Sequence, residues 1–502
     1  MIKSVSTLAP AENQKEYRQN QIIKFNIPSF YGFVDGRQSF LRANIRLQSG
    51  VKAALSRKLG AQALISAIRI YDHSNAQLLE NIENYGEIVQ VLNVYGENET
   101  IRHQRQLLEA VDVLDEEGGL NRETALFFNA YGDNSTNTDN LVETGEVNEN
   151  VVQIAMHLHS GILGSDRVFP IVAFGGLRVE IELNSAAKAL MVLDAGLFEE
   201  NGFSVQEELV AGFHSECAID VSLTQCPYVV GQYITLKDNS GNKYTTYITE
   251  VSPSQGVEDG TTLKFGQIDL VEPLSPGEPN RLYMSAQQAE DAVRLSNFRM
   301  TEVELCLKQV SPPASYVQDL AKQMGSDEGF DIDIRTWDLI RNNILNGQSI
   351  DEQPIHSFSM RVFSVLSLLT KNGSDSIFTD SFRTETSGLK KYAYAIDGKK
   401  NPNRDVETAL TTLSLYHINQ QSSFELKKAL ESCGLVVRDL PLKENFLVAR
   451  AFGRYGGVSN LQEKNLTLRL EFEVESLSML CLNFICSLRR LNVSSRGITV
   501  IA

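Results

Sequence analysis

Leu466-Thr467-Leu468-Arg469-Leu470-Glu471-Phe472-Glu473-Val474-Glu475 decides how the rest of this chain is read. Apolar side chains take every second position, and polar or charged ones stand between them. Successive side chains of an extended strand point to opposite faces, so this stretch has one face in a core and one in water. The same period returns far away in the sequence. Leu41, Ala43, Ile45 and Leu47 alternate with Arg42, Asn44, Arg46 and Gln48; Leu177, Val179, Ile181 and Leu183 alternate with Arg178, Glu180, Glu182 and Asn184. Val303, Leu305 and Leu307 are set against Glu304, Cys306 and Lys308. One-sided strands scattered this widely call for antiparallel sheets packed as sandwiches.

Helical signals are few and short. Ile101 to Asp112, with Leu107, Leu108 and Val111 on one side, reads as an amphipathic helix. Pro313 opens a second, ahead of Tyr316, Val317 and Leu320. Ser422-Ser423-Phe424-Glu425 has the form of a capping box for a third, which should stop near Gly434. These are too few for alternating βαβ units and fit instead into the loops of β-sandwiches.

A chain of 502 residues exceeds one ordinary domain. Ser311-Pro312-Pro313 to Gly325 divides it. The expected plan is all-β: an N-terminal arm (1–20), a first sandwich (21–312), a linker helix (313–328) and a second sandwich (329–502). Within the first, Tyr233-Ile234-Thr235-Leu236, the turn 238–242 and Tyr244 to Ile248 form a hairpin, with Thr262 to Phe265 beside it. A small β insertion over 229–271 follows from this. The polar, Gly- and Asn-rich stretch 132–149 reads as a long surface loop. Gly175-Gly176 before 177–183 and Gly456-Gly457 before 466–474 hint at two domains of one type.

The net charge of −17, without a basic run at either end, argues against gripping nucleic acid by phosphate neutralisation. No apolar run is long enough to span a membrane. Met1-Ile2-Lys3-Ser4-Val5-Ser6 lacks the order of a signal peptide, which points to a protein made and folded inside a cell. Cys217, Cys226, Cys306, Cys433, Cys481 and Cys486 form no CxxC or zinc-type spacing and read as reduced, mostly buried thiols.

Catalytic patterns are missing. Gly398-Lys399 has no Gly-rich loop upstream, and no GxSxG, HExxH or GxGxxG occurs. His157-Leu158-His159 could place two imidazoles on one strand face but has no obvious third ligand, and reads as an exposed strand edge. Asp331-Ile332-Asp333 begins like a calcium loop without its glycine and glutamate. Glu471, Glu473 and Glu475 read as the solvated face of a strand. No catalytic, cofactor-binding or metal residue is assigned, and the expectation is a protein that is not an enzyme and carries no cofactor.

Several segments carry a resemblance. Ser160-Gly161-Ile162-Leu163-Gly164, then Val168-Phe169-Pro170-Ile171, then Gly175-Gly176-Leu177-Arg178-Val179-Glu180-Ile181-Glu182-Leu183 form the first. Ile68-Arg69-Ile70-Tyr71-Asp72 with Leu79-Glu80 and Tyr85 form a second, and Glu304-Leu305 through Val310-Ser311-Pro312-Pro313 to Tyr316-Val317 a third. In the second half stand Met360-Arg361-Val362 with Ser364-Val365-Leu366-Ser367, then Phe446, Arg450-Ala451-Phe452-Gly453, the strand 466–475 and Arg489-Arg490-Leu491 to Val500. In this order they resemble the double jelly-roll major capsid proteins of double-stranded DNA viruses, above all the virophage, polinton-like and adenovirus-like group. The resemblance implies two jelly rolls in tandem, three chains forming a pseudo-hexagonal homotrimer, and trimers tiling an icosahedral shell assembled inside the host cell. Its implied partners are neighbouring capsomers, penton and minor capsid proteins, without sequence-specific nucleic acid binding; an internal membrane is left open. Loops such as 132–149 and the 229–271 insertion would form outer towers. Two other readings stay beside it: an attachment, spike or minor structural β-sandwich protein with glycan binding, and a carbohydrate-active enzyme with two carboxylates across a groove.

Overall fold

The computed structural model describes residues 3–48, 53–56, 59–74, 77–109, 111, 151–165, 167–192, 199, 202–220, 226, 228, 233–254, 260–277, 282–284, 297–357, 359–371, 382, 388–408, 420–438, 447–453, 457–472 and 478–501. The stretch 132–149 and residues Phe446, Glu473 and Glu475 lie outside these.

Four strands build each face of a first sandwich. Lys3–Pro10, Asn297–Ser311, Phe33–Gln48 and Val151–Met156 are neighbours in one sheet; Ile22–Pro28, Gly176–Leu183, Ile65–Asp72 and Leu78–Glu83 are neighbours in the other. Counted along the chain from one to eight, these orders are 1-8-3-6 and 2-7-4-5. The second half repeats them. Phe330–Ile344, Met479–Ser494, Val362–Lys371 and Leu447–Ala451 again run 1-8-3-6, and Ile350–Ile355, Leu466–Phe472, Leu389–Ile396 and Lys399–Glu407 run 2-7-4-5. Two Greek keys wound into eight antiparallel strands give this order, the jelly roll. Short extra strands, such as Gly497–Ile501 on Met479–Ser494, extend the sheets.

The alternation read from sequence survives in detail. Along Leu466–Phe472 every second side chain is buried and the rest are half-exposed, and Gly176–Leu183 behaves alike. Lys399 sits after an Asp397-Gly398 turn whose two residues have φ of 48° and 76°. That left-handed pair is what a tight hairpin turn requires between twisted strands, and it joins Leu389–Ile396 to Lys399–Glu407.

Three features differ from expectation. The 1–20 stretch, expected as an arm, supplies the first strand of the first roll: Lys3–Pro10 pairs along Asn297–Ser311. The inserted sheet reaches beyond 229–271, because Gly212–Ile219 and Leu282–Tyr283 join Thr261–Leu270, Lys243–Pro253 and Tyr233–Lys237 in five strands. It is pinned shut at its base, where Phe203 and Leu282 exchange backbone hydrogen bonds of 2.9 and 3.0 Å. Asp331-Ile332-Asp333 lies within a strand, not a loop.

Helices occupy the same connection in both rolls. Between strands five and six stand α1 (Tyr85–Gly96) and α2 (Glu99–Glu109) in the first, the second taking in 101–109 of the expected helix. The linker carries α3 (Ala314–Met324), directly after Pro313. In the second roll α4 (Gln420–Ser432) packs on Leu447–Ala451 and Val362–Lys371. Because α4 already runs at Gln420, Ser422 is inside the helix and not at its start. Glu425 instead bonds Arg450 on the strand beneath. The expected stop holds: Gly434 has φ of 81°, and Leu435 N–H returns to the Leu430 carbonyl at 3.1 Å.

Candidate functional site at the seam

Two sandwiches act as one body only if something fixes the angle between them. Strand five of the first roll, Leu78–Glu83, packs on strand one of the second, Phe330–Ile344. Arg489 reaches across: its guanidinium donates to the Leu79 carbonyl at 3.1 Å and to Asp338 of its own roll at 2.8 Å. Arg341 donates to Asn84 at 2.7 Å and Glu83 at 3.3 Å. The helical connections also meet, with Arg438 N–H on the Tyr95 carbonyl at 2.9 Å.

Glu80 is the buried centre of this seam. Its carboxylate accepts from the Ser160 hydroxyl at 2.6 Å, the Gly161 amide at 2.7 Å and the Ile162 amide at 3.3 Å. Burial raises its pKa above the usual carboxylate range, while these donors and the Arg489 charge pull it back down. The loop thus tied down is the Ser160-Gly161-Ile162 segment. At Gly161 an added Cβ would stand 2.2 Å from the Arg335 carbonyl oxygen of the second roll, so the two backbones touch where glycine leaves room.

The loop's other side is held by α2. Arg105 pairs with Glu97 at 3.0 Å and Glu109 at 2.7 Å; Gln62 donates to Glu109 and to the His157 carbonyl at 2.8 Å. Tyr85 Oη donates to Gln62 and receives the His159 amide at 2.9 Å. The His157-Leu158-His159 segment follows the strand's end at Met156. His157 is exposed, with Nδ1 2.9 Å from the Ser39 carbonyl. Burial and the Arg105 charge lower the His159 pKa to about 3, so its ring is neutral. Among the described residues no group of three His, Cys, Asp or Glu gathers as a metal cage.

Asp333 and Asp331 serve ion pairs. Asp333 receives both Arg490 (2.9 Å) and Arg361 (2.8 Å), and Asp331 lies 3.2 Å from Arg490. The Arg490 hydrogen bonds, then Arg361, hold the Asp333 carboxyl at about 2, below its ordinary 3.8. A carboxyl with a depressed folded pKa stabilises the fold above its unfolded value and ceases to do so as pH falls through the folded one. The melting-temperature gap between the native chain and Asp333→Asn will therefore be full at pH 5 and close between pH 3.8 and about 2. A gap undiminished at pH 2 would contradict this. Glu471 lies 3.8 Å from Lys391 on its strand face. All six cysteines are buried and none is in a disulfide.

No family model matches the chain, and no curated protein matches it. Solved structures do. The Faustovirus major capsid protein superposes over 98% of this chain and 91% of its own, at 10% identity and a TM-score of 0.52. This chain has the double jelly-roll fold of that protein. The capsid model of the PBCV-1 virus is also similar, at 8% identity and a TM-score of 0.49, covering 100% of this chain and 97% of that one. The Sputnik virophage structure covers 99% and 88%, at 10% identity and 0.46. In double jelly-roll terms, the seam is the joint between roll one and roll two. Sequence reading assigned no residue to it.

Proposed function

We propose that this double jelly roll is a major capsid protein, a structural and non-catalytic subunit of a virion shell that assembles as a homotrimer. The observation that carries the reading is the repeated 1-8-3-6 and 2-7-4-5 order in two rolls locked by a shared seam. Three such chains supply six similar rolls about a three-fold axis, a pseudo-hexagonal block suited to tiling a closed surface beside penton and minor capsid proteins. The fold shared with the Faustovirus major capsid protein supports it. In this reading the chain divides as first roll to 312, linker helix 313–328 and second roll 329–502.

An exposed apolar patch supports self-association. Phe30 is 74% exposed and stacks on Tyr31, whose hydroxyl bonds the carbonyl of the exposed Leu8. Exposed Val172 is tied to Gly32, and exposed Tyr316 packs on Phe33. Surfaces of this kind mark protein contacts. Light scattering coupled to size exclusion will give three times the 55.8 kDa chain mass. Phe30→Asp will shift that species toward single chains. A native protein that stays monomeric at every salt and concentration would sink the capsid reading.

A further inference from the structure

A cleft of about 690 Å³ opens along the seam, lined from both rolls. That volume is within the range, about 300–1,000 Å³, of sites that hold a specific ligand. Arg37 and Arg167 line it from the first roll and Arg335 from the second. Among the described residues none of the three makes an ion pair. Arg335 lies over the Phe363 ring at 4.9 Å, which fixes its guanidinium without neutralising it. Among the described residues the acid in the lining is Asp333, and Arg361 and Arg490 already take both its oxygens.

The backbone is shaped to present Arg37. Phe33–Gln48 follows Asn297–Ser311 through Asp35 and again from Phe40, while 36–39 leave the ladder as a bulge. Arg37 N–H donates to Asp35, Ser39 Oγ donates to the Asp35 carbonyl, and Lys308 N–H closes on Ser39. Bulges of this kind re-aim a side chain away from the ladder. The rest of the lining is mixed: His157, His159, Ser160 and Ser165 stand beside Leu92 and Leu488, with the buried Leu158 and Trp337 behind them.

We propose that this cleft binds an acidic peptide segment of a partner chain, its carboxylates on Arg37, Arg167 and Arg335. Guanidinium groups match carboxylates in charge and in forked geometry. The chain's −17 opposes any anion at long range, and a long nucleic acid, charged at every phosphate, more than a short peptide whose few carboxylates meet the three guanidinium groups. The inference rests on the seam's charge and shape and is independent of the capsid reading, because it concerns the isolated chain.

Trp337, the one tryptophan of the sequence, lines the cleft and reports on it. Hexaglutamate titrated into the full-length protein at low salt will change Trp337 fluorescence saturably. Arg37 and Arg167 are exposed, so the double variant Arg37→Gln, Arg167→Gln folds, which circular dichroism checks. Its affinity for the peptide will fall about tenfold or more, as will that of the native protein at raised salt. No fluorescence change, or equal affinity in the variant, would overturn the proposal. Inorganic phosphate or a short single-stranded oligonucleotide binding as tightly as the peptide would overturn it too, in favour of a general anion site. Failure here leaves the trimer measurement untouched, and a monomer that binds the peptide removes only the capsid reading.

Discussion

Replacing Glu80 by alanine will destabilise the protein by about 3–5 kcal/mol, the scale for breaking a buried charged cluster. Its carboxylate is fully buried and collects the Ser160 hydroxyl and the amides of Gly161 and Ile162. Alanine leaves the Ser160 hydroxyl and the Gly161 amide without that acceptor, at about 1–3 kcal/mol for each that finds no other, while the Ile162 amide keeps Ser160 Oγ at 3.1 Å. It also removes the acid beside Arg489, whose charge Glu80 feels across the seam. Glu80→Gln keeps the volume and one acceptor oxygen, so it will cost less. Denaturant unfolding of the three proteins gives the ranking, native above Gln above Ala. An alanine variant within about 1 kcal/mol of native would show that the cluster does not hold the seam.

Gly161→Ala will loosen the joint itself. The new Cβ falls 2.2 Å from the Arg335 carbonyl oxygen, a backbone atom of a long strand that no side-chain rotation can move aside. The rolls must separate, with an overpacking cost of about 1–3 kcal/mol. That is roughly a five- to 150-fold change in the closed seam's population. Gly434 makes the useful contrast. There an added Cβ meets the Arg335 guanidinium, the far end of a flexible side chain, and strain from φ of 81° remains the main penalty. Gly161→Ala will thus increase protease cleavage between the rolls and lower trimer yield, each by about tenfold or more, while Gly434→Ala changes chiefly overall stability. Equal cleavage rates in native and Gly161→Ala proteins would exclude a backbone-limited joint.

The strands that could be read from sequence are those with one wet face. Leu466–Phe472 and Gly176–Leu183 alternate because each lies between a core and water. Lys3–Pro10 could not be found that way: Val5 and Leu8 are exposed at 60% and 47% and Ala9 is its buried apolar residue, so pairing and not burial makes it a strand. Helix α1 hid for the opposite reason. It is buried nearly all round, with Glu87, Gln90 and Asn93 inside beside Ile88 and Val91, so it shows no apolar stripe. The capping pattern at Ser422 misled because local spacing says nothing of a helix that already extends upstream.

The seam was the least legible part. Glu80 is one of 63 acidic residues, and its partners lie about 80 positions away. Ser160-Gly161-Ile162 was noticed only as part of a resemblance, whereas its physical meaning is a backbone contact with the other roll. A joint built from long-range donors and one missing Cβ leaves no local period to detect.

In the five-stranded inserted sheet, Phe203 ahead of the first strand and Leu282 in the last described one clasp each other through paired backbone hydrogen bonds, and the sheet's buried side chains run on into the core of the first roll. A segment whose ends meet can be lengthened at the tips of its hairpins without altering the register of either roll, since such loops tolerate insertion. Mutational change at those tips is separated from change in the framework, and the turn 238–242, exposed over 239–242, gives protein engineers a graft site for a foreign epitope.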